Sequence, residues 1–269
     1  MKIVIIGESC SDIYIYGRCE RLCPEGPVPV FTPGRQKEYS GMASNTYENI
    51  KQMCDKDDDV EFVSQFPNYH SPMTKTRYVD EVSNQLLIRM DTGDSVDQIT
   101  KDNKERIISK FYNTKADLLI VSDYCKGFLG DQDLIDLSVI AKTSVLDTKK
   151  ALSLKIINAF NFIKMNEFEY QKNSAAFDMT GRSNVYGCSS SKAIVTRGSR
   201  GVSYLGGIYP PPKTHQTFDV SGAGDVFTAS FGYNLALGKT IKDSIKTAQE
   251  CCCKVIQKRG TCVYEKNMD

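Results

Sequence analysis

Short apolar runs bounded by glycine or polar residues recur along the chain, separated by stretches whose apolar positions repeat at helical spacing. Residues 2–6 form a β-branched run ending at Gly7, which predicts a buried strand. Comparable runs predict strands at 117–121, 144–146, 160–164, 193–196 and 202–205, the last after the turn Gly198-Ser-Arg-Gly201. Helices are predicted at 42–54, 101–113, 134–141, 223–237 and 241–257. In the last of these, Ile241, Ile245, Ala248, Cys252 and Val255 share one stripe, and Gly238 closes the helix before it. Strands alternating with helices predict an α/β fold, a mainly parallel sheet flanked by helices on both faces.

Two segments break the alternation. Residues 14–36 carry Pro24, Pro27, Pro29 and Pro33, with alternation over Val28, Val30 and Phe31, which suits an extended sheet edge. Residues 76–82 and 85–90 flank Ser83-Asn84 and predict a hairpin. The segments at about 14–36 and 74–91 together suit a small β lid on one domain spanning 1–269, and residues 55–59 read as a charged loop.

Composition narrows the possible partners. Thirty-four basic and 33 acidic residues give a net charge of +1, too little to gather nucleic acid or an anionic membrane. An anionic ligand must then be held by a local cluster. No run approaches the ~18 apolar residues of a membrane span. The opening apolar stretch is too short for a secretory signal, so the expected compartment is the cytoplasm. The ten cysteines include no Cys-x-x-Cys pair and read as reduced apolar fillers; His70 and His215 are too few for a triad or a His-rich metal site.

Residues 219–225, Asp-Val-Ser-Gly-Ala-Gly-Asp, join a glycine turn to the apolar run that opens the 223–237 helix. Such a turn leaves backbone N–H groups unpaired at the positive end of a helix dipole, suited to phosphate or to charge developing in phosphoryl transfer. Gly222, Ala223 and Gly224 would supply those amides, and Asp225 a carboxylate able to take a hydroxyl proton. A turn and helix cap without chemistry is the alternative.

Polar groups also follow four successive predicted strands, where open α/β sheets place ligands. They are Asp123 with Lys126, then Lys149, then Asn166 with Glu169, then Thr196 with Gly198. Asp12 follows the first strand, and Gly41 and Asn45 lead into a helix that Asn45 either caps or equips for a ligand. Lys75, Arg77 and Arg89 on the hairpin suit a sugar phosphate or merely guard a sheet edge. No Gly-x-x-x-x-Gly-Lys-[Ser/Thr], His-Arg-Asp or Asp-Phe-Gly occurs, and Gly222-Ala-Gly224 lacks the third glycine of a dinucleotide fingerprint.

These segments resemble a known family. Residues 219–225 are similar to the Asp-Thr-x-Gly-Ala-Gly-Asp motif of the ribokinase-like (PfkB) carbohydrate kinases. Asn166-x-x-Glu169 resembles their second motif, and Gly41 to Asn45 their Gly-Gly sugar-binding segment. Residues 7–17, 21–30, 74–78, 84–91 and 122–127 resemble the bacterial D-glycero-β-D-manno-heptose-7-phosphate kinase domains of lipopolysaccharide-precursor synthesis. The resemblance runs from the first strand to about Thr261. It implies transfer of phosphate from ATP, with Mg²⁺, to the anomeric hydroxyl of a heptose 7-phosphate, giving the 1,7-bisphosphate.

By motif, Asp225 is then the base, and Gly222, Ala223 and Gly224 form the anion hole. Asp12, Gly41 and Asn45 hold sugar hydroxyls. Asn166 and Glu169 organise magnesium through water or phosphate. Thr196, Gly198 and Gly201 line the nucleotide pocket. Lys75, Arg77 and Arg89 are assigned to the 7-phosphate from charge and lid position, Asp123 and Lys126 to the substrate side, and Lys149 to the nucleotide side. Lids of this family often pair between subunits, which implies a homodimer.

Departures from the pattern bear on the substrate. Ser40 stands for the first glycine of the Gly-Gly pair, with one extra residue before Asn45. The 49–75 stretch reads as short by roughly one strand–helix unit. The nucleotidyltransferase half fused in some relatives is expected to be absent. A kinase for a hexose, pentose or nucleoside, or a non-catalytic sugar-phosphate or nucleotide sensor, stay open as alternatives.

Overall fold

The computed structural model describes residues 1–65, 73–178, 191–212 and 217–266; His70, His215 and Cys188 lie outside the described residues. The opening β-branched run forms β1 (Lys2–Gly7), and its period-two alternation divides the core. Ile3 and Ile5 pack on one face of the sheet with Val226, Phe231 and Ile245, while Val4 and Ile6 pack on the other with Ile107, Leu134 and Ile156.

Ahead of the regular alternation come β2 (Ser9–Leu22), β3 (Pro29–Met42), α1 (Ala43–Met53), β4 (Asp59–Val63), β5 (Thr74–Asp80) and β6 (Leu86–Thr92). Then follow α2 (Lys101–Phe111), β7 (Ala116–Asp123), α3 (Asp131–Ser138), β8 (Ala141–Thr148), α4 (Leu154–Ala159), β9 (Phe162–Asn166) and α5 (Glu167–Asp178). The chain continues through β10 (Ala193–Thr196), β11 (Val202–Tyr204) and β12 (Gly207–Tyr209) to α6 (Ala223–Ala236) and α7 (Ile241–Val255). The large sheet has eight strands in the order β12-β11-β10-β9-β8-β7-β1-β4, parallel from β4 to β10 and antiparallel at the β11–β12 edge. Helices α1, α6 and α7 contribute to one core cluster and α2 to α5 to the other. This is the mixed α/β architecture expected from the sequence.

The four-stranded sheet β3-β2-β5-β6 stands apart from the large one. It is longer than the expected extended segments: β2 and β3 pair from Ser9–Met42 out to Leu22–Pro29. Cys10, Asp12, Tyr14 and Tyr16 alternate as buried residues along β2, and a carboxylate within that series disguises the period in the sequence. Between α1 and β5, residues 59–63 form β4, in parallel register with β1; residues 66–72 lie outside the described residues.

Among the described residues, no helix is long and apolar enough to cross a membrane.

Candidate active site

The glycine turn takes the form its sequence requires. Gly222 adopts φ 80°, a left-handed conformation that glycine enters without strain, and α6 starts immediately after it. Asp219 secures the approach: its carboxylate accepts from Ser221 N (2.9 Å), Gly260 N (3.1 Å) and the Tyr14 hydroxyl (3.2 Å). The tight turn corrects one expectation. Ala223 N–H donates to the Val220 carbonyl at 3.2 Å, so it is spent inside the turn. Gly222 and Gly224 are the two expected amides that have no such partner among the described residues.

Asp225 lies on the first turn of α6 and is 3% exposed. Asn45 Nδ2 donates to its Oδ2 at 2.9 Å and the Tyr124 hydroxyl to its Oδ1 at 2.7 Å. Asn49 Nδ2 sits 3.1 Å from Asn45 Oδ1, which turns the Asn45 amide nitrogen toward the base. Burial raises the pKa of Asp225 from 3.8 to about 6; the two donors oppose this, and the nearby charge of Asp147 adds to it. The result is a buried carboxylate poised between acid and base near neutral pH.

A lysine absent from the sequence-based list lies beneath the turn. Lys164 of β9 is buried and donates to Asp147 Oδ2 at 2.9 Å. Burial alone would lower its pKa, but the Asp147 carboxylate outweighs that and the ammonium is held charged. Its Nζ is near enough to Gly224 that a Cβ there would come within 3.0 Å. Thr228 Oγ1 completes the group, 2.9 Å from Asp147 Oδ2.

On the sugar side, Asp12 is buried and ion-paired with Arg77, with the Thr261 hydroxyl 3.2 Å from its other oxygen. Gly41 lies against it, since a Cβ would fall 2.5 Å from Asp12 Oδ2. Ser40 is an ordinary strand residue paired with Ser11, and the left-handed position is Met42, at φ 61° with its side chain buried. Such strain in a non-glycine residue persists where surrounding packing enforces it. Arg77 also lines a cleft of about 470 Å³ with Tyr14, Ser83, Asn84, Ser221 and Arg259. A larger cleft of about 1100 Å³, bordered by Ser9, Gln65 and Arg106, contains none of the turn residues.

Several candidates have other engagements. Arg89 makes a forked pair with Asp91 at 2.7 and 2.6 Å. Lys126 pairs with the exposed Asp94. Asp123 turns into the interior, accepting from the Thr148 hydroxyl (2.7 Å) and Cys125 N (3.0 Å); burial, then the charge of Glu8, raises its pKa. Lys75 and Lys149 meet at Tyr124, with Nζ atoms 5.1 and 4.3 Å from the ring centroid. Burial, then Lys75, lowers the pKa of Lys149.

On the nucleotide side, Asn166 and Glu169 cap α5 reciprocally: Asn166 N donates to Glu169 Oε2 at 2.7 Å and Glu169 N to Asn166 Oδ1 at 2.9 Å. The Thr196 hydroxyl donates to the Met165 carbonyl at 3.2 Å. Gly198 has open space where a Cβ would be, whereas a Cβ on Gly201 would lie 2.1 Å from the Tyr209 carbonyl oxygen. Gly201 is therefore required by the β-edge packing itself. No cluster of three or more His, Cys, Asp or Glu suited to a metal occurs among the described residues. Asn166 and Glu169 offer oxygen ligands of the type magnesium takes, each with one oxygen already engaged in the cap.

Comparison with known proteins places the chain in a family. Residues 59–267 match the pfkB family of carbohydrate kinases. The chain is 28% identical to the bifunctional protein HldE of Hyphomonas neptunium over 298 residues, covering 97% of this chain and 61% of that protein. The Yersinia enterocolitica protein of the same name is also 28% identical, with 96% and 60% covered. The chain thus spans about three-fifths of the length of these relatives. The fold is similar to that of Thermotoga maritima ribokinase (TM-score 0.69, 16% identity, 96% of this chain and 94% of that one). It is also similar to Arabidopsis thaliana ribokinase complexed with ribose and ATP (TM-score 0.63, 15% identity, 96% and 93%). The chain belongs to the pfkB family of carbohydrate kinases, and its fold is ribokinase-like.

Proposed function

We propose that this pfkB-family chain transfers the terminal phosphate of ATP to the anomeric hydroxyl of a heptose 7-phosphate, with Asp225 as general base. The observation that carries the reading is the buried Asp225 carboxylate beside the glycine turn, its pKa raised to about 6 by burial. A base of that strength takes a hydroxyl proton at neutral pH as the oxygen attacks phosphorus, and is not already protonated there. In this reading the Gly222 and Gly224 amides and the α6 dipole stabilise the charge that develops on the transferred group. Lys164 adds a fixed cation below them. Asn166 and Glu169 would hold magnesium through water or phosphate, and the bound ion would neutralise phosphate charge. Thr196, Gly198, Gly201 and Lys149 belong to the nucleotide side.

Asp12, Gly41 and Asn45 orient the sugar, and Asn45 does so while steering the base. Asp123, at the end of β7, and Lys126, in the loop after it, support this side. Lys75, Arg77 and Arg89 receive the 7-phosphate. Arg77 faces the cleft that Arg259 also lines, and the Arg89 fork would exchange Asp91 for phosphate. The small sheet is also the surface through which two copies would pair, with Ile88 and Met90 exposed on β6. The catalytic step needs no membrane or nucleic-acid partner, and the cytoplasm supplies both of its substrates.

The reading is tested by incubating the protein with ATP, Mg²⁺ and heptose 7-phosphate, beside unphosphorylated hexoses, pentoses and nucleosides, and weighing the products. A sugar bisphosphate formed from the heptose supports it. Phosphorylation of another member of the panel alone, or ligand binding without turnover, replaces it with one of the alternatives. An Arg89→Ala variant with an unchanged KM for the phosphorylated sugar would remove Arg89 from the assignment.

A further inference from the structure

We infer that Tyr124 is a positioning residue for Asp225, fixing the orientation of the base and holding it in the charged form that accepts a proton. The inference rests on the reading of Asp225 as the base. Tyr124 reaches the site from the loop after β7, and that loop is anchored from below. Glu8, fully buried, accepts from Tyr124 N at 2.7 Å, Lys126 N at 2.9 Å and Phe128 N at 3.3 Å. The ring is flanked by Lys75, from the small sheet, and Lys149, from the end of β8. Ammonium groups at these distances favour one ring pose. The base is thereby tied to both sides of the site.

The tyrosine hydroxyl and the Asn45 amide each hold a different oxygen of Asp225, so the carboxylate cannot rotate without losing a bond. Each oxygen retains a lone pair for a sugar hydroxyl. Both donors favour the charged carboxylate. Tyr124 acts as a donor throughout, because burial, then the charge of Asp225, pushes its own pKa well up.

Among the described residues, the titratable groups that act on Asp225 include Tyr124 from the β7 loop, Asp147 from β8, Lys164 from β9 and Cys10 from β2. Asp147 and Lys164 are bonded to each other and act on Asp225 in opposite directions. Burial holds the Cys10 thiol at about 11, well above the value of about 6 for Asp225.

The test is a carbon-13 NMR titration of the aspartate carboxyl groups in the full chain, with the Asp225 signal identified by its loss in Asp225→Asn. The midpoint is expected near 6 in the unsubstituted protein. In Tyr124→Phe it is expected to rise by about one pH unit, a roughly tenfold tighter proton. The acid limb of kcat should move by the same amount, with turnover recovering above pH 8 while KM for ATP stays unchanged. Tyr124→Leu, which lacks the ring, should show the same midpoint and a loss of kcat that high pH does not restore. An unchanged midpoint in both variants overturns the inference. The titration uses no substrate, so it stands or falls separately from the choice of sugar.

Discussion

Replacing Asp225 with asparagine separates what the carboxylate does for chemistry from what it costs the fold. Burial raises its pKa from 3.8 to about 6, so the folded protein binds this proton more tightly than the unfolded chain does. The associated stability is fully present below pH 3.8 and is lost as pH rises through about 6. At ~1.4 kcal/mol per pH unit, the loss is about 3 kcal/mol by pH 8. Asparagine carries no charge and escapes it. Its amide keeps an acceptor for Asn45 but presents N–H groups toward the Tyr124 hydroxyl, which costs about 1 kcal/mol. The variant should therefore be more stable than the parent by about 2 kcal/mol at pH 8, with the advantage gone at pH 4. Urea unfolding of both proteins across that range reads the difference directly. Turnover should meanwhile fall by about 10²–10⁴, the usual contribution of a general base. A variant less stable than the parent at pH 8, or a difference that does not change with pH, would refute the reasoning that Asp225 is a buried, ionised base.

Other consequences follow from the same geometry. Glu8→Gln puts an amide N–H among three backbone donors, and should destabilise the protein by about 2 kcal/mol and lower kcat by loosening Tyr124. Unchanged urea unfolding would show that the carboxylate does not anchor the loop. Gly198 and Gly201 should behave differently when changed to alanine. Gly198→Ala meets open space and should cost about 1 kcal/mol for its φ of 56°, with a raised KM for ATP. Gly201→Ala drives a Cβ into the Tyr209 carbonyl and should lower the thermal midpoint well beyond that; equal melting of the two would contradict the packing.

The sequence disclosed those features whose signal is local. The β-branched run of β1 and the glycine turn before α6 carry their geometry in neighbouring residues, and both were recognisable. Lys164 was not, because its role depends on the β8–β9 register, which sets Asp147 beside it. A lysine within the apolar run of β9 was the available signal, since a buried ammonium needs a partner. Tyr124 and Asp123 are adjacent, and only the end of β7 decides which one turns toward Thr148 and which toward Asp225. Strand β4 was concealed by the charges of residues 55–59, which run up to and include its first residue. The Met42 dihedral and the spent Ala223 amide are properties of turn closure, which composition does not encode.

The most direct measurement is the pH dependence of kcat/KM for heptose 7-phosphate at saturating ATP and Mg²⁺, in the parent and in Asp225→Asn. With Asp225 as base, the parent should lose about tenfold per pH unit below a midpoint near 6, and the residual activity of the variant should show no such limb. A parent profile that stays level down to about pH 4.5, or the same acid limb in both proteins, would contradict the assignment.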